Sequence, residues 1–284
     1  MSGKIQKVGF IGAGNMAEAI IGAIISAELY PAEAIWVSDI EPSQVKRLQK
    51  TYRLTDAGDN TTVIRECDLI FFSVKPQTLP SVLEALVRAN GFSTPAEKKL
   101  LVSIAAGVQM AAIEAYVYKG LTEAQKPMRP IIRVMPNTPA LVRSGTSAVC
   151  ANPYAAAEDM EAVKSILSAM GRVFECRESD MNAFTAVAGS GPAYGFYLIE
   201  AMAEAGARLG LDPEDALNMT LSTLEGALKL LESQQAAPRE LREKVTSPGG
   251  TTEAALRLLE DKQVKSCIID AVCAAARRAD ELSG

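Results

Sequence analysis

The 284-residue chain contains no histidine. That absence excludes Ser-His and Cys-His nucleophilic catalysis, and zinc sites built on imidazole. Any proton transfer must come from Lys, Tyr, Asp, Glu, Ser or Thr, from water, or from the substrate itself. A long apolar run is missing too, which points away from a membrane-spanning protein. Met1-Ser-Gly-Lys-Ile5 leads straight toward a first strand, with neither an Arg-rich nor a hydrophobic leader. The cysteines, Cys67, Cys150, Cys176, Cys267 and Cys273, are odd in number and form no Cys-x-x-Cys pair. Reduced, mostly buried thiols in a cytoplasmic compartment are expected, with no metal site. Excess positive charge is also lacking, since 29 Lys and Arg face 34 Asp and Glu for a net charge of −5. This argues against a nucleic-acid partner or an anionic membrane surface, while leaving a local anion site open.

With 48% hydrophobic and 22% charged residues, the chain has ample core for about two soluble domains. Its organising stretch is Lys7-Val-Gly-Phe-Ile-Gly-Ala-Gly-Asn-Met-Ala17. Residues 8–11 are a short, β-branched apolar run suited to a buried parallel strand. Gly12-Ala13-Gly14 turns the chain, and residues 15–26 continue with helix formers. Strand, Gly-x-Gly turn and helix in that order form a cradle for a dinucleotide pyrophosphate. Gly12 permits the tight turn, Gly14 lets the backbone approach the phosphates, and the helix supplies free N–H groups at a positive dipole end. Ala17 stands where the fingerprint has its third glycine. The alternative is a plain strand-to-helix turn.

The first half then alternates. Ala34-Ile-Trp-Val-Ser-Asp39 reads as a second strand ending in an acid. An acid at this distance commonly bonds the adenosine ribose hydroxyls and disfavours a 2′-phosphate. Asp39 can equally begin the next helix with Glu41-Pro42, and Lys46 and Arg47 nearby keep a phosphate-tolerant site open. Further strands are expected at 68–74, stopped by Lys75-Pro76, at 100–104, closed by Ala105-Ala-Gly107, and at 130–135, ending at Pro136-Asn-Thr-Pro139. Helices are expected at 79–89 and 111–117. Strands alternating with helices predict a mostly parallel, doubly wound sheet, whose ligands bind beyond the carboxyl ends of the strands.

Beyond about residue 155 the pattern becomes helical, apart from a possible edge strand at 172–175. Residues 192–209 are apolar nearly all round and predict a buried central helix. Asp212-Pro213 reads as a cap followed by a first-turn proline. Leu217, Leu221, Leu224, Leu228 and Leu231 form one stripe, and Val264, Ile268, Ala271, Val272 and Ala275 another. So much apolar face on so small a helical domain predicts packing against a second subunit. In Thr246-Ser-Pro-Gly-Gly-Thr-Thr252, Thr251 or Thr252 is expected to cap a helix carrying Glu253 in its first turn. A cap needs one hydroxyl, whereas Ser247, Thr251 and Thr252 surround two glycines. The loop therefore suits a small carboxylate. Ala188-Gly-Ser-Gly-Pro-Ala-Tyr194 opens the apolar helix, where its glycines serve close packing or face a cofactor cleft.

These stretches, with Ser73-Val-Lys-Pro-Gln77 and Ser103-Ile-Ala-Ala-Gly107, occur in the order found in pyrroline-5-carboxylate reductases. The chain resembles that family along essentially its whole length, and the 246–252 motif is the family's signature. The resemblance implies an α/β N-terminal Rossmann domain over 1–170 and an all-α C-terminal dimerisation domain over 171–284. It implies reduction of the cyclic imine 1-pyrroline-5-carboxylate to L-proline by NADPH or NADH, in a homodimer often assembled into a decamer. Cofactor contacts are implied at Gly12, Gly14, Asn15, Met16, Asn60, Val74, Lys75, Pro76, Ala105 and Ala106, while Asp39 is the candidate at the ribose from its position after the second strand. Substrate contacts are implied at Glu178, Ser247, Gly250, Thr251 and Thr252. Many members carry a small hydroxylated residue where this chain has Asp39, which leaves the cofactor preference open.

Because an iminium nitrogen arrives already protonated, a chain without histidine suits this chemistry, with Thr252 and Ser247 as the catalytic hydroxyls. Tyr194 and Lys75 are alternative proton donors. A β-hydroxyacid dehydrogenase would share the two-domain plan but place a lysine on the helix after Gly191, where this chain has none. A non-catalytic nucleotide sensor would keep residues 12–17 without needing the 247–252 loop.

Overall fold

The computed structural model describes residues 5–92 and 97–283. The first four residues, read above as leading into the first strand, lie outside them. The chain divides into two compact units, one of residues 1–189 with 276–284, the other of residues 190–275.

Among the described residues, the first unit is built on an eight-stranded sheet. Its strands are β1 (Val8–Ile11), β2 (Ile35–Ser38), β3 (Thr55–Asp56), β4 (Leu69–Phe72), β5 (Leu100–Ser103), β6 (Ile131–Met135), β7 (Gly145–Ala151) and β8 (Gly171–Glu175). They lie in the order β3-β2-β1-β4-β5-β6-β7-β8. All neighbours are parallel except β6 and β7, whose pairing is antiparallel. The first six strands thus have the doubly wound dinucleotide-binding order, with the direction of winding reversing between β1 and β4.

The pleat of β1 explains the two faces. Val8 and Phe10 pack with Ile20 and Ile24 of α1 (Asn15–Ser26), Leu48 of α2 (Pro42–Tyr52) and Ile166 of α6 (Ala157–Ser168). Ile11 and Phe72 pack on the other side with Val63 of α3 (Asn60–Glu66), Leu83 of α4 (Leu79–Arg88) and Ile113 of α5 (Met110–Val117). A strand buried on both faces reads as a continuous apolar run, as residues 8–11 and 69–72 do. Gly9 brings α3 close, since a Cβ there would lie 2.4 Å from Val63 Cγ1. Phe10 and Phe71 stack across the centre with ring centroids 5.0 Å apart and planes 8° from parallel.

The expected edge strand at 172–175 is present as β8, parallel to β7. Because it completes the sheet, the first unit continues past the expected boundary at residue 170 to Gly189. Beyond it, α7 (Met181–Phe184) runs into a π-helical turn at Thr185–Gly189.

The second unit contains α8 (Gly191–Arg208), α9 (Pro213–Gln234), α10 (Pro238–Lys244), α11 (Thr251–Asp261) and the first part of α12 (Val264–Ser283). Asp212 caps α9, its Oδ1 accepting the N–H groups of Glu214 at 2.9 Å and Asp215 at 3.3 Å. Among the described residues, the expected burial of the 192–209 helix is not found. Phe196 is 66% and Tyr197 77% exposed, and no residue of α8 is buried. Leu221, Leu228 and Ile268 of the two stripes are exposed as well. Only Ala216 and Thr220 are buried in this unit among the described residues, so its apolar faces exceed what its own helices cover. The cysteines are free, and Cys67 and Cys150 are buried, with burial pushing both thiols up to about 12. Cys267 and Cys273 on α12 are exposed, against the expectation of mostly buried thiols.

Truncating Phe71 removes a fully buried ring from the sheet's centre, and Phe71→Ala is expected to destabilise the first unit by about 3–5 kcal/mol. A thermal or urea melt followed by circular dichroism measures it.

Candidate functional site

The crevice of the first unit is assembled at the carboxyl ends of β1, β4 and β5. Gly12 leaves β1 with φ +105°, a conformation that L side chains rarely adopt. A Cβ there would meet the Ser73 carbonyl carbon at 2.7 Å and the Val74 nitrogen at 2.9 Å. Gly12 N–H donates to the Ser38 carbonyl at 2.8 Å, and Ser73 N–H to the Ile11 carbonyl at 2.8 Å. These bonds lock the turn to β2 and β4. Gly14, at the N-cap of α1, has open space where a Cβ would stand, and Asn15 is exposed beside it. The fold thus presents bare backbone and a helix N-terminus at the point where the strand order reverses, which suits a pyrophosphate. Ser73 Oγ is buried there and has no hydrogen-bond partner among the described residues.

The remaining residues of the expected cofactor set border the same end of the sheet. Met16 and Val74 are half-buried, packing against opposite core clusters. Lys75 is exposed and Pro76 half-buried just past β4, where the Lys75 carbonyl accepts the Thr78 N–H at 2.9 Å and turns the chain into α4. Ala105 is buried and Ala106 exposed past β5, with Ala105 N–H donating to Ser103 Oγ at 3.3 Å. Asp39 is fixed just past β2, its Oδ2 accepting Ala13 N–H at 2.7 Å and its Oδ1 accepting Glu41 N–H at 2.8 Å. Asn60, the first residue of α3, accepts the Ser38 hydroxyl at 2.7 Å. A dinucleotide fits this cradle, because Gly12 and Gly14 present bare backbone at the start of α1 and the space around Gly14 is open.

Two motifs acquire a positional role. Asn137, from the stretch after β6, is buried and bridges two segments. Its Nδ2 donates to the Ala188 carbonyl at 2.9 Å, and its Oδ1 accepts the Thr146 N–H at 2.8 Å. It ties the π turn before α8 to β7, and such turns recur at functional sites. Glu178 is held by the buried Arg133, 3.1 Å away, and by the Met110 N–H at 2.5 Å. Its carboxylate is therefore fixed to β6 and α5, while a side-chain exposure of 37% keeps it open to solvent. Neither Arg133 nor Asn137 stands out as an anchor in the sequence alone. A charged residue inside the apolar run 130–135 was the signal available.

In the second unit, the 247–252 loop is a tight turn with Gly250 N–H donating to the Ser247 carbonyl at 3.0 Å. The N-cap of α11 is Gly250, with no side-chain cap, so neither Thr251 nor Thr252 caps the helix as expected. Both threonines lie inside its first turn. Glu253 instead reaches back to accept the Gly249 N–H at 2.6 Å. Gly249 takes φ +71° to make the turn. With backbone and Glu253 closing the helix end, the hydroxyls of Ser247, Thr251 and Thr252 are not consumed by capping. Ser247 and Thr251 are exposed and Thr252 is half-buried. Tyr194 is half-buried in the first turn of α8.

A 3-2-1-4-5-6 sheet with a glycine cradle at its switch point, followed by a helical unit with uncovered apolar faces, defines a two-domain, dinucleotide-binding protein of the oxidoreductase type. Family models agree in both halves. Residues 7–107 match the model described as NADP oxidoreductase coenzyme F420-dependent, and residues 178–282 the one described as pyrroline-5-carboxylate reductase dimerisation. Pyrroline-5-carboxylate reductase of Pseudomonas aeruginosa is 39% identical over 278 residues, covering 98% of this chain and 97% of that one. The protein of the same name from Synechocystis is 40% identical over 97% of this chain and 98% of that one. Among solved structures, pyrroline carboxylate reductase of Plasmodium falciparum with NADP bound superimposes with a TM-score of 0.85 at 30% identity, covering 100% of each chain. The Coxiella burnetii pyrroline-5-carboxylate reductase gives 0.86 at 34%, covering 99% of this chain and 100% of that one. The chain belongs to the pyrroline-5-carboxylate reductase family.

Substituting Gly12 places a Cβ on the Ser73–Val74 backbone in a strained conformation. Gly12→Ala is expected to weaken nicotinamide dinucleotide binding by about tenfold or more. Isothermal titration calorimetry with the oxidised cofactor measures it.

Proposed function

We propose that this chain reduces 1-pyrroline-5-carboxylate to L-proline, the last step of proline biosynthesis, in the cytoplasm. The observation that carries the reading is the pairing, within one chain, of the Gly12–Ala13–Gly14 cradle with an uncapped, glycine-bearing hydroxyl loop at 247–252. The nicotinamide cofactor supplies the hydride. It would be held through the backbone of Gly12 and Gly14, with Asn15, Met16, Asn60, Val74, Lys75, Pro76, Ala105 and Ala106 lining its path and Asp39 at its ribose. What remains for the protein is positioning, since an iminium nitrogen carries its own proton and the chain has no histidine to contribute one.

Ser247, Gly250, Thr251 and Thr252 hold the ring carboxylate. The first-turn N–H groups of α11 and the loop hydroxyls are donors, and the helix dipole favours a negative group at that end. Glu178, whose orientation is already set by Arg133 and Met110, is a further substrate contact in this reading. Thr252 bonds the ring nitrogen or the carboxylate in the transition state. Positioning the imine carbon for hydride transfer supplies several kcal/mol of the barrier.

The helical unit completes a homodimer, and dimers assemble further toward a decamer. Phe196, Tyr197, Leu221, Leu228 and Ile268 are the exposed apolar side chains that support this assembly. Light scattering across the micromolar range is expected to give at least twice the chain mass of 30.2 kDa, and a monomeric mass would sink this part of the reading.

Following nicotinamide absorbance with purified protein, the cyclic imine and each reduced cofactor tests the activity directly. No oxidation with either cofactor overturns the proposal. Thr252→Ala is expected to lower kcat/KM by about tenfold or more, the usual cost of a lost transition-state hydrogen bond, and a change within about twofold would refute its role.

A further inference from the structure

We infer that Asp39 makes this chain select NADH over NADPH. The inference rests on the reading above that a nicotinamide dinucleotide lies in the residue 12–17 cradle, and adds which of the two it is. Asp39 stands one residue past β2, where the adenosine ribose of such a cofactor comes to lie. It is not a loose surface acid. Ala13 N–H, inside the glycine turn, donates to Oδ2 at 2.7 Å, and Glu41 N–H donates to Oδ1 at 2.8 Å. Each oxygen thus spends one acceptor position on the backbone and keeps another. Two fixed acceptors beside each other match the two vicinal hydroxyls of an unmodified ribose, both of which can donate.

A 2′-phosphate offers no such donor. It carries close to two negative charges at neutral pH and would meet the carboxylate oxygen against oxygen. The groups around Asp39 do not neutralise that encounter. Glu41 adds a second exposed carboxylate. Ile40 is 94% exposed and brings neither charge nor donor. Ser38 is buried, and its hydroxyl is given to Asn60 at 2.7 Å, so it is not free to take a phosphate oxygen. On α2, Arg47 turns its Nη1 to Glu18 of α1 at 2.7 Å and its Nε to Gln44 at 3.3 Å. Lys46 is exposed on the same helix and is the cation to watch. The relative from Plasmodium falciparum was solved with NADP bound, so the preference inferred here is a property of this chain's β2 end rather than of the fold.

Binding of NAD+ and NADP+ to the intact protein, without substrate, separates the two cofactors from turnover. Calorimetry gives the affinities. Trp36 is the single tryptophan, lies on β2 three residues before Asp39, and provides a fluorescence readout. The wild type is expected to bind NAD+ about tenfold or more tightly than NADP+. Asp39→Ser should shrink or reverse that ratio, with Asp39→Asn between them and a melting curve recorded for each. Ile40→Arg leaves every one of these hydrogen bonds in place and adds a cation at an exposed position, so it should tighten NADP+ by about fivefold or more with NAD+ little changed. Lys46→Ala should leave the ratio as it is. Equal affinity of the wild type for both cofactors, an unchanged ratio in Asp39→Ser, or loss of NADP+ affinity in Lys46→Ala overturns the inference while leaving the imine reductase reading intact. Failure to bind either cofactor, with no imine reduction, overturns the reading beneath it.

Discussion

Everything in the first unit depends on how closely the chain leaving β1 passes the chain leaving β4. Gly12 lies against the Ser73–Val74 backbone with no room for a side chain, and the bonds from Gly12 to Ser38 and from Ser73 to Ile11 hold the three strand ends together. This contact brings the turn, the helix start and Asp39 into one constellation. Loosening it would move all of them at once, because Asp39 is bonded to the turn itself through Ala13. The glycine turn is thus mostly main chain, and its geometry is a property of the sheet rather than of individual side chains.

Where the sequence carried strong periodic or punctuating signals, the architecture was legible. The runs at 8–11, 69–72 and 100–103 are buried on both faces and read as such. The glycine turn and the Asp212-Pro213 helix start are where local chemistry puts them. Misreadings arose where tertiary context decides. β7 is built from Gly145-Thr-Ser-Ala-Val-Cys-Ala151, small and partly polar residues that form a strand because β6 offers an open edge. The two-residue β3 is too short to show any alternation. A threonine after Gly250 looks like a cap, yet the glycine takes the N-cap position and Glu253 closes the turn from inside the helix. Arg133 inside an apolar run was the one visible sign that a buried charge needed a partner, and Glu178, 45 residues on, could not be matched to it without the fold.

The candidate site divides along the same line. Backbone-made parts were readable, because glycine and alanine at fixed spacing have few other purposes. Parts made by pairing distant residues, such as Asn137 between the π turn and β7, required the three-dimensional arrangement. Absence of histidine narrowed the chemistry too, since it left proton transfer to other side chains, to water or to the substrate itself.

The apolar helices of the second unit have a thermodynamic consequence. With only Ala216 and Thr220 buried inside it among the described residues, residues 190–275 draw little of their stability from their own interior. Covering Phe196, Tyr197 and the leucine stripe with a second subunit, as proposed above, is a bimolecular event governed by mass action. The first unit has a core on each side of its sheet, whereas in the proposed dimer the second becomes firmer as the protein grows more concentrated. A single melting temperature therefore has no fixed meaning for this chain unless the protomer concentration is stated with it.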